Sequence, residues 1–562
     1  VQTCALPICL VPWQLLQGTA LQSMALRAFG ARIGKRVYLH RGVQITRGGW
    51  DLLTIEDDAV LGREAHLELV ELEDGRLSCD EIHIGARAIV DVRGGVGRGA
   101  VLGADAMVAA LAHVPANARV GAGEVWDGAP ACKVGARSPG SQGADSPAWR
   151  IMIHALGVLA GRILLAPLLS SLLLLALFAL ARSFGITETD LGNWIWRDGA
   201  WSRPDLAWVA VAASLLVAPV QLVVSAVLLR FSPKVPVGHA DVWSPMAFRA
   251  WVRMEVVEAA GTWLAGTLFW PAWLRLAGAR IGRNCEISTV VDVLPEHLEI
   301  GPNTFLADGI YLGSPRLQAG GARFGPVRLG QRSFFGNHVV IHAGQCLPDD
   351  VLLGVCTVAD DRRMTAGTSW FGSPQLQLPR REVITMDHRL THNPNLLRRV
   401  NRLFWELLRF VVPVLPLWLS VWWFDVAAHA SAATSVPSAI AQVVFATFCV
   451  FLTLAMTVLV TKWLLLGKVK PSQHALWSCW ASRWDFHYVI WERYGRGLLA
   501  QMDQTHLLVW FLRAIGVRIG KGCVLGEGFA QLVDPDMITL DDGCTVDRKS
   551  TRLNSSHSSV SR

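Results

Sequence analysis

From Ile84 onward an aliphatic residue recurs at every sixth position: Ile84, Val90, Val96, Leu102, Val108, Val114 and Val120. Four residues after each of the first six stands a small residue: Ala88, Gly94, Ala100, Ala106, Ala112 and Ala118. A helix repeats about every 3.6 residues and a simple strand about every two, so neither produces this spacing. A period of six belongs to a parallel β-coil of triangular section, with one aliphatic pointing inward from each face. Small residues then fit the corners. The glycines that follow the aliphatics (Gly85, Gly97, Gly103, Gly121) are expected to supply turn conformations closed to a Cβ. The same register returns at Leu329, Phe335, Ile341, Leu347 and Leu353, with Gly330 and Gly354.

Charge-free runs make a second pattern: 163–181, 206–229, 410–424 and 439–461. A membrane-crossing helix needs about 20 apolar residues, so 410–424 must extend at one end. Pro167, Pro219, Pro413 and Pro416 are tolerable in such helices. The runs form two hairpins, which leaves all else on one side. The basic segments 230–234, 396–402 and 462–470 place that side in the cytoplasm by the positive-inside rule.

A third pattern is a phrase used three times. "LRAFGARIGKRVYL" (26–39), "LRLAGARIGRNCEI" (274–287) and "LRAIGVRIGKGCVL" (512–525) align without gaps, each with a threonine upstream: Thr19, Thr267 and Thr505. The apolar leaders 10–29, 255–273 and 498–512 carry Trp13, Trp263, Trp270, Trp273 and Trp510. Such leaders either lie at a bilayer surface or cap the first coil. A closing phrase also repeats, "EVWDGAPACKV" (124–134) and "TSWFGSPQLQL" (368–378).

The fold class that follows is mixed: three parallel β-helix domains separated by two transmembrane α-helical hairpins. The expected boundaries are a first β-helix domain at 9–147, hairpin 1 at 148–232, and a second β-helix domain with its leader at 233–394. Hairpin 2 follows at 395–470, then a leader and a third, truncated β-helix at 471–546. Residues 1–8 and 547–562 read as translated sequencing adapter, one end being the reverse complement of the other, so the chain is expected to be a fragment cut at Val546.

Composition agrees with a membrane protein, at 52% hydrophobic and 17% charged residues. The net charge of +7 includes four basic residues and one acidic residue in the 547–562 tail. No basic block alternates with aromatics, which argues against nucleic acid as a partner. The 11 cysteines are scattered without a C-x-x-C pair, which argues against a zinc ribbon and a disulfide framework.

The sixfold repeats resemble the hexapeptide-repeat, left-handed β-helix acyltransferases, and "DGAPACKVG" (127–135) is similar to the phrase that closes their last coil. The full order of domains resembles the C-terminal region of membrane-bound non-ribosomal peptide synthetases of the ε-poly-lysine synthetase type. That resemblance implies a condensing module joining thioester-activated amino acids by amide bonds. Upstream adenylation and carrier domains, absent from this chain, would be its partners. The acyl donor would be the phosphopantetheine arm of a carrier domain, or coenzyme A, with no resident cofactor and no metal. The bilayer and an amino-acid or peptidyl substrate complete the expected partners, and the three β-helices would form an intramolecular pseudo-trimer. A coenzyme-A-dependent acyltransferase of an envelope sugar or lipid, or a non-catalytic scaffold, are the competing readings.

The resemblance points to a histidine base, and "FFGNHVVIHAG" (334–344) supplies His342 and His338. Unit one has Arg93 and Gly97 at the matching positions, so a base common to all units is absent. Trp126, Gly128, Pro130 and Lys133, with Trp370, Gly372, Pro374 and Arg380, are the expected donor-binding residues. Glycine and proline there would leave a rigid backbone surface for the thioester arm.

Overall fold

The computed structural model describes residues 13–546 apart from 46–47, 74–75, 138–145, 184, 194–203, 319–320, 380–389, 391–393, 431–434, 504 and 527. Both adapter-like ends and Arg380 lie outside the described residues. The chain forms two compact units, one of residues 1–167 with 225–382, the other of 168–224 with 383–562.

The first unit holds two stacks of short parallel strands. In the first stack Leu102 pairs with Ile84 below and Val120 above, Val108 with Val90 and Trp126, and Val96 with Val114. Three sixfold steps therefore make one turn around three faces, which fits a β-helix. All seven aliphatics are buried, together with Ala88, Ala100, Ala106 and Ala112.

The glycines after the aliphatics have a different purpose from the one the sequence suggested. Positive φ falls two residues later, at Arg87, Gly99, Asp105 and Gly123. Gly85, Gly97 and Gly103 are needed because the next coil passes close by. A Cβ would stand 2.7 Å from Ala104 N at Gly85, 2.7 Å from Ala116 N at Gly97 and 2.6 Å from Ala122 N at Gly103. Steric room, not dihedral freedom, selects glycine there.

In the second stack Leu329 pairs with Leu347, and Phe335 with Leu353, which pairs in turn with Trp370. The predicted inward residues Leu329, Phe335, Ile341, Leu347 and Leu353 are all buried. This stack is interrupted by an excursion in which Arg316–Gln318 and Gly321–Phe324 form an antiparallel sheet with Gly238–Asp241. Each stack closes with an antiparallel hairpin, Glu124–Gly128 with Ala131–Ala136, and Ser369–Phe371 with Leu376–Leu378. The two closing phrases are the turns of these hairpins.

The threefold leader phrase is one structural device. Its threonine precedes a helix (Ala20–Ala28, Phe269–Ala277, His506–Ile515). The threonine hydroxyl donates back to a carbonyl three residues earlier, at Leu16, Leu264 and Met502. Leu26, Leu274 and Leu512 are fully buried. The arginine after each leucine donates to two successive carbonyls of the first strand: Ile33 and Gly34, Ile281 and Gly282, Ile519 and Gly520. These carbonyls belong to the end coil, so the guanidinium satisfies them. The leader helices therefore cap coils with their inner faces: Trp270 and Trp273 are buried, whereas Trp510 is exposed.

Among the described residues, three helices are long and apolar enough to cross a membrane: Val211–Phe231, Leu396–Ala430 and Val436–Leu465. The run at 410–424 is extended at its N-terminal side, through Leu396–Leu408. The run at 163–181 lies inside a continuous helix, Ala148–Ser183, that contains Pro167. In the second unit, Trp491, Leu499, Leu508, Leu512 and Ile515 form a core beside two parallel strand pairs, Arg518–Ile519 with Thr539–Leu540 and Val524–Leu525 with Thr545–Val546.

Candidate active site at the junction of the two stacks

Within the first unit, a corner of the first stack meets the second stack along its length. The contact begins with charge. Arg41 pairs with Glu255 at 2.6 Å and with Glu258, and Arg63 pairs with Glu258 at 2.8 Å and Asp292 at 2.7 Å. Burial alone would raise the Asp292 carboxyl. Arg63, His40 and Arg41, with a hydrogen bond from Ser314, instead hold it well below the usual range. Burial pushes the His40 imidazole down to about 4, so it is neutral at pH 7.

One coil further, Tyr311 donates to Glu64 at 2.6 Å. Burial, with the Glu64 charge added, pushes that phenol well above its ordinary value and keeps it a donor. Val92, Ala110 and Leu111 of the first stack then pack against Tyr311, Val340 and Val358 of the second. This apolar patch excludes water beside the next pair.

That pair is His342 with Asp91. His342 is buried at 9% exposure, and its Nε2 lies 3.7 Å from Asp91 Oδ2. Its Nδ1 is buried without a hydrogen-bond partner. The strand holding it is fixed where the His342 N–H donates to Gln345 Oε1 (2.7 Å) and Gln345 Nε2 donates to Ala359 O (2.6 Å). The other Asp91 oxygen accepts the Val92 N–H at 2.8 Å, which aims Oδ2 at the imidazole. At 3.7 Å the two groups are in contact but farther apart than a hydrogen bond. Such contacts often tighten only when substrate binds. An imidazole beside a carboxylate can accept a proton and keep the resulting charge.

The junction ends where the two closing phrases touch. Ser373 donates to Asp127 Oδ1 at 2.8 Å and to Ala110 O at 3.3 Å. A Cβ on Gly128, whose φ is +104°, would lie 3.4 Å from Pro374 Cδ. Pro130 and Pro374 both follow cis peptide bonds. The repetition of Trp-x-Gly-Ala/Ser-Pro thus puts two similar turns face to face.

The other expected site residues are placed as follows. Trp126 donates to Glu124, which also accepts from Lys133 at 2.8 Å. Those hydrogen bonds, Lys133 first, hold the Glu124 carboxyl down to about 2. The Lys133 ammonium is therefore engaged within its own hairpin. Trp370 is buried, donates to Thr368 and lies under the Arg363 guanidinium at 5.5 Å. The Gly372 N–H donates to Thr357. His338 occupies a left-handed corner at φ +57° and packs on Gly309, where a Cβ would approach its Nδ1 to 2.5 Å.

Asp91, Glu64 and Tyr311 were not singled out from the sequence. For Asp91 a signal existed: it follows the inward Val90, in the slot that Gly62, Gly85, Gly97 and Gly103 fill in neighbouring turns.

No family model matches the chain. The chain is 30% identical over 546 residues to Delta-poly-L-ornithine synthetase of Acinetobacter baumannii (strain AB307-0294), an alignment that covers 94% of this chain. It spans 40% of that relative's length. Among solved structures, it is similar to a maltose O-acetyltransferase from Clostridium difficile 630, at 12% identity and a TM-score of 0.18 over 21% of this chain and 75% of that one. It is also similar to a hexapeptide-repeat acetyltransferase from Vibrio cholerae O1 biovar eltor complexed with acetyl coenzyme A, at 14% identity and a TM-score of 0.18, covering 23% and 83%. At these TM-scores neither likeness bears on the chemistry.

Proposed function

We propose that the chain is the membrane-embedded condensing module of a non-ribosomal synthetase that makes an amino-acid homopolymer. The observation that carries this reading is the 30% identity, along 94% of the chain, to a poly-amino-acid synthetase. The coil stacks are left-handed hexapeptide-repeat domains on the cytoplasmic side, anchored by the apolar helices. Adenylation and carrier domains elsewhere in the full protein supply the activated monomer.

In this reading the amine of one monomer attacks the thioester carbonyl of another. The N–C bond forms, His342 takes the amine proton, and Asp91 stabilises the imidazolium. The C–S bond then breaks, and the leaving thiolate recovers the proton as the free thiol. The facing turns at Gly128–Pro130 and Gly372–Pro374 provide the surface for the pantetheine arm, with Trp126 and Trp370 behind them. Arg380 is the cation assigned to its phosphate, Lys133 can join only by leaving Glu124, and His338 is the second candidate base.

The test is polymer synthesis by the uninterrupted synthetase carrying His342→Ala, His338→Ala or Asp91→Asn. General-base loss is worth roughly 10²–10⁴-fold, so His342→Ala is expected to abolish measurable product. Asp91→Asn is expected to slow it while leaving adenylation unchanged. Full polymer yield from both His342→Ala and His338→Ala would overturn the assignment.

A further inference from the structure

The first stack carries a second group of histidines that the acyl-transfer reading does not use. His66, Gly95 and His113 stand in register on three successive coils of one face. Two imidazoles thus flank a coil whose residue has no side chain. The rings lean over that glycine and stack with centroids 5.8 Å apart and planes at 24°. A Cβ at position 95 would come within 2.3 Å of His113 Nδ1 and 2.9 Å of His66 Cε1. Glycine is therefore what allows the two rings to meet.

A carboxylate completes the group. Glu68 follows His66 by two, which places it on the same face of the strand path. Its Oε1 lies 3.1 Å from His66 Nε2 and its Oε2 3.8 Å from His113 Nε2. One donor atom from each residue lies within 4.8 Å of the others, and all three side chains are half-buried. The second ring nitrogen of His66, Nδ1, is buried without a hydrogen bond.

We propose that His66, Glu68 and His113 bind a zinc-type divalent cation, with a fourth coordination position left open. Two imidazole nitrogens and one carboxylate are the donor set of such sites. Metal–ligand bonds of about 2.0–2.2 Å put tetrahedral donors roughly 3.4 Å apart, between the two separations given above. Little movement is needed, because the ligands project from one face of one rigid sheet, with only the side-chain-free Gly95 between the two imidazoles. The cation neutralises Glu68 and bridges the two stacked imidazoles. The site is independent of His342 and of the reading built on it.

The experiment uses the whole chain, purified in detergent and stripped with a chelator. Co²⁺ is titrated and followed by its visible d–d absorption, and Zn²⁺ by equilibrium dialysis. One equivalent of tightly held metal, with a four-coordinate cobalt band, is expected. Glu68→Gln and His113→Gln are each expected to weaken it by at least ~10-fold, since loss of even an outer-shell partner costs about that much. Gly95→Ala keeps every donor yet is expected to lose the band, because its Cβ occupies the gap. Absence of the band in the parent chain overturns the proposal. So does equal metal affinity in Glu68→Gln, His113→Gln and the parent.

Discussion

The two coil stacks of the first unit obey one rule inside and different rules outside. In both, the inward positions of the sixfold runs, Ile84 to Val120 and Leu329 to Leu353, are buried apolar residues. Both stacks are interrupted by an antiparallel pair, Val70–Glu73 with Arg76–Cys79 in the first and Arg316–Gln318 with Gly321–Phe324 in the second, and only the second pair is joined by a further strand, Gly238–Asp241. Where they meet, the first presents Arg41 and Arg63. The second, with the helix Pro245–Leu264, presents Glu255, Glu258 and Asp292. The inward residues close each prism, and the corner residues decide what the prism docks against. The residues proposed for catalysis also point away from the coil axes: Asp91 and His342 each follow an inward aliphatic and meet across the junction.

The harshest way to break that comparison is to remove a charge from one side only. Arg63→Ala takes from Asp292, at 1% exposure, its closest cation and from Glu258 one of its two arginines. Orphaning a buried charge costs about 3–5 kcal/mol. Thermal unfolding in detergent is expected to show a drop of that order. The paired change Arg63→Met with Asp292→Leu should recover most of it, because two apolar residues leave no uncompensated charge. A double variant as unstable as Arg63→Ala would show that docking does not rest on this pair.

A milder way is to lower the pH. His40 binds its proton near pH 6.5 when unfolded but only at about 4 when folded. Between those values the unfolded state holds more protons, so stability falls as pH drops through that window. Asp292 acts in the same direction at lower pH. Its depressed folded value gives stability that is present above the unfolded carboxylate range and lost below it. Because the His40 ring is only half-buried, its share is about 2 kcal/mol. Melting temperatures at pH 7, 5.5 and 4.5 are expected to decline, and His40→Gln should flatten the first part of that decline.

The sixfold spacing was enough to read the interior, because a coil constrains one residue in six independently of any distant partner. The leader phrase was visible as a repeat. Its mechanism was not, since the Arg27 and Arg275 contacts link a helix to carbonyls that follow it by six and seven residues. Gly128 and Pro374 were both noticed, yet nothing in either copy says that they touch. Asp91 and Arg63 escaped because their partners lie across hundreds of residues, on the other stack. Periodicity reports what faces a coil's own axis. It is silent on what faces a neighbouring coil stack.

The glycines offer the smallest and most discriminating test of that distinction. Gly97 in the first stack has no positive φ, but its Cβ would meet Ala116 N at 2.7 Å. Gly344 in the second stack has φ +88° and nothing within 4 Å. If close passage of coils selects glycine in the first case, Gly97→Ala acts as overpacking and costs about 1–3 kcal/mol. If backbone conformation selects it in the second, Gly344→Ala costs about 1–2 kcal/mol, the penalty for an L-residue in the left-handed region. Asparagine separates the two causes, since it tolerates positive φ but is larger than alanine. Gly344→Asn should be milder than Gly344→Ala, while Gly97→Asn should be worse than Gly97→Ala. Thermal melts that rank the asparagine variants the other way round would mean that steric room and dihedral freedom had been assigned to the wrong glycines.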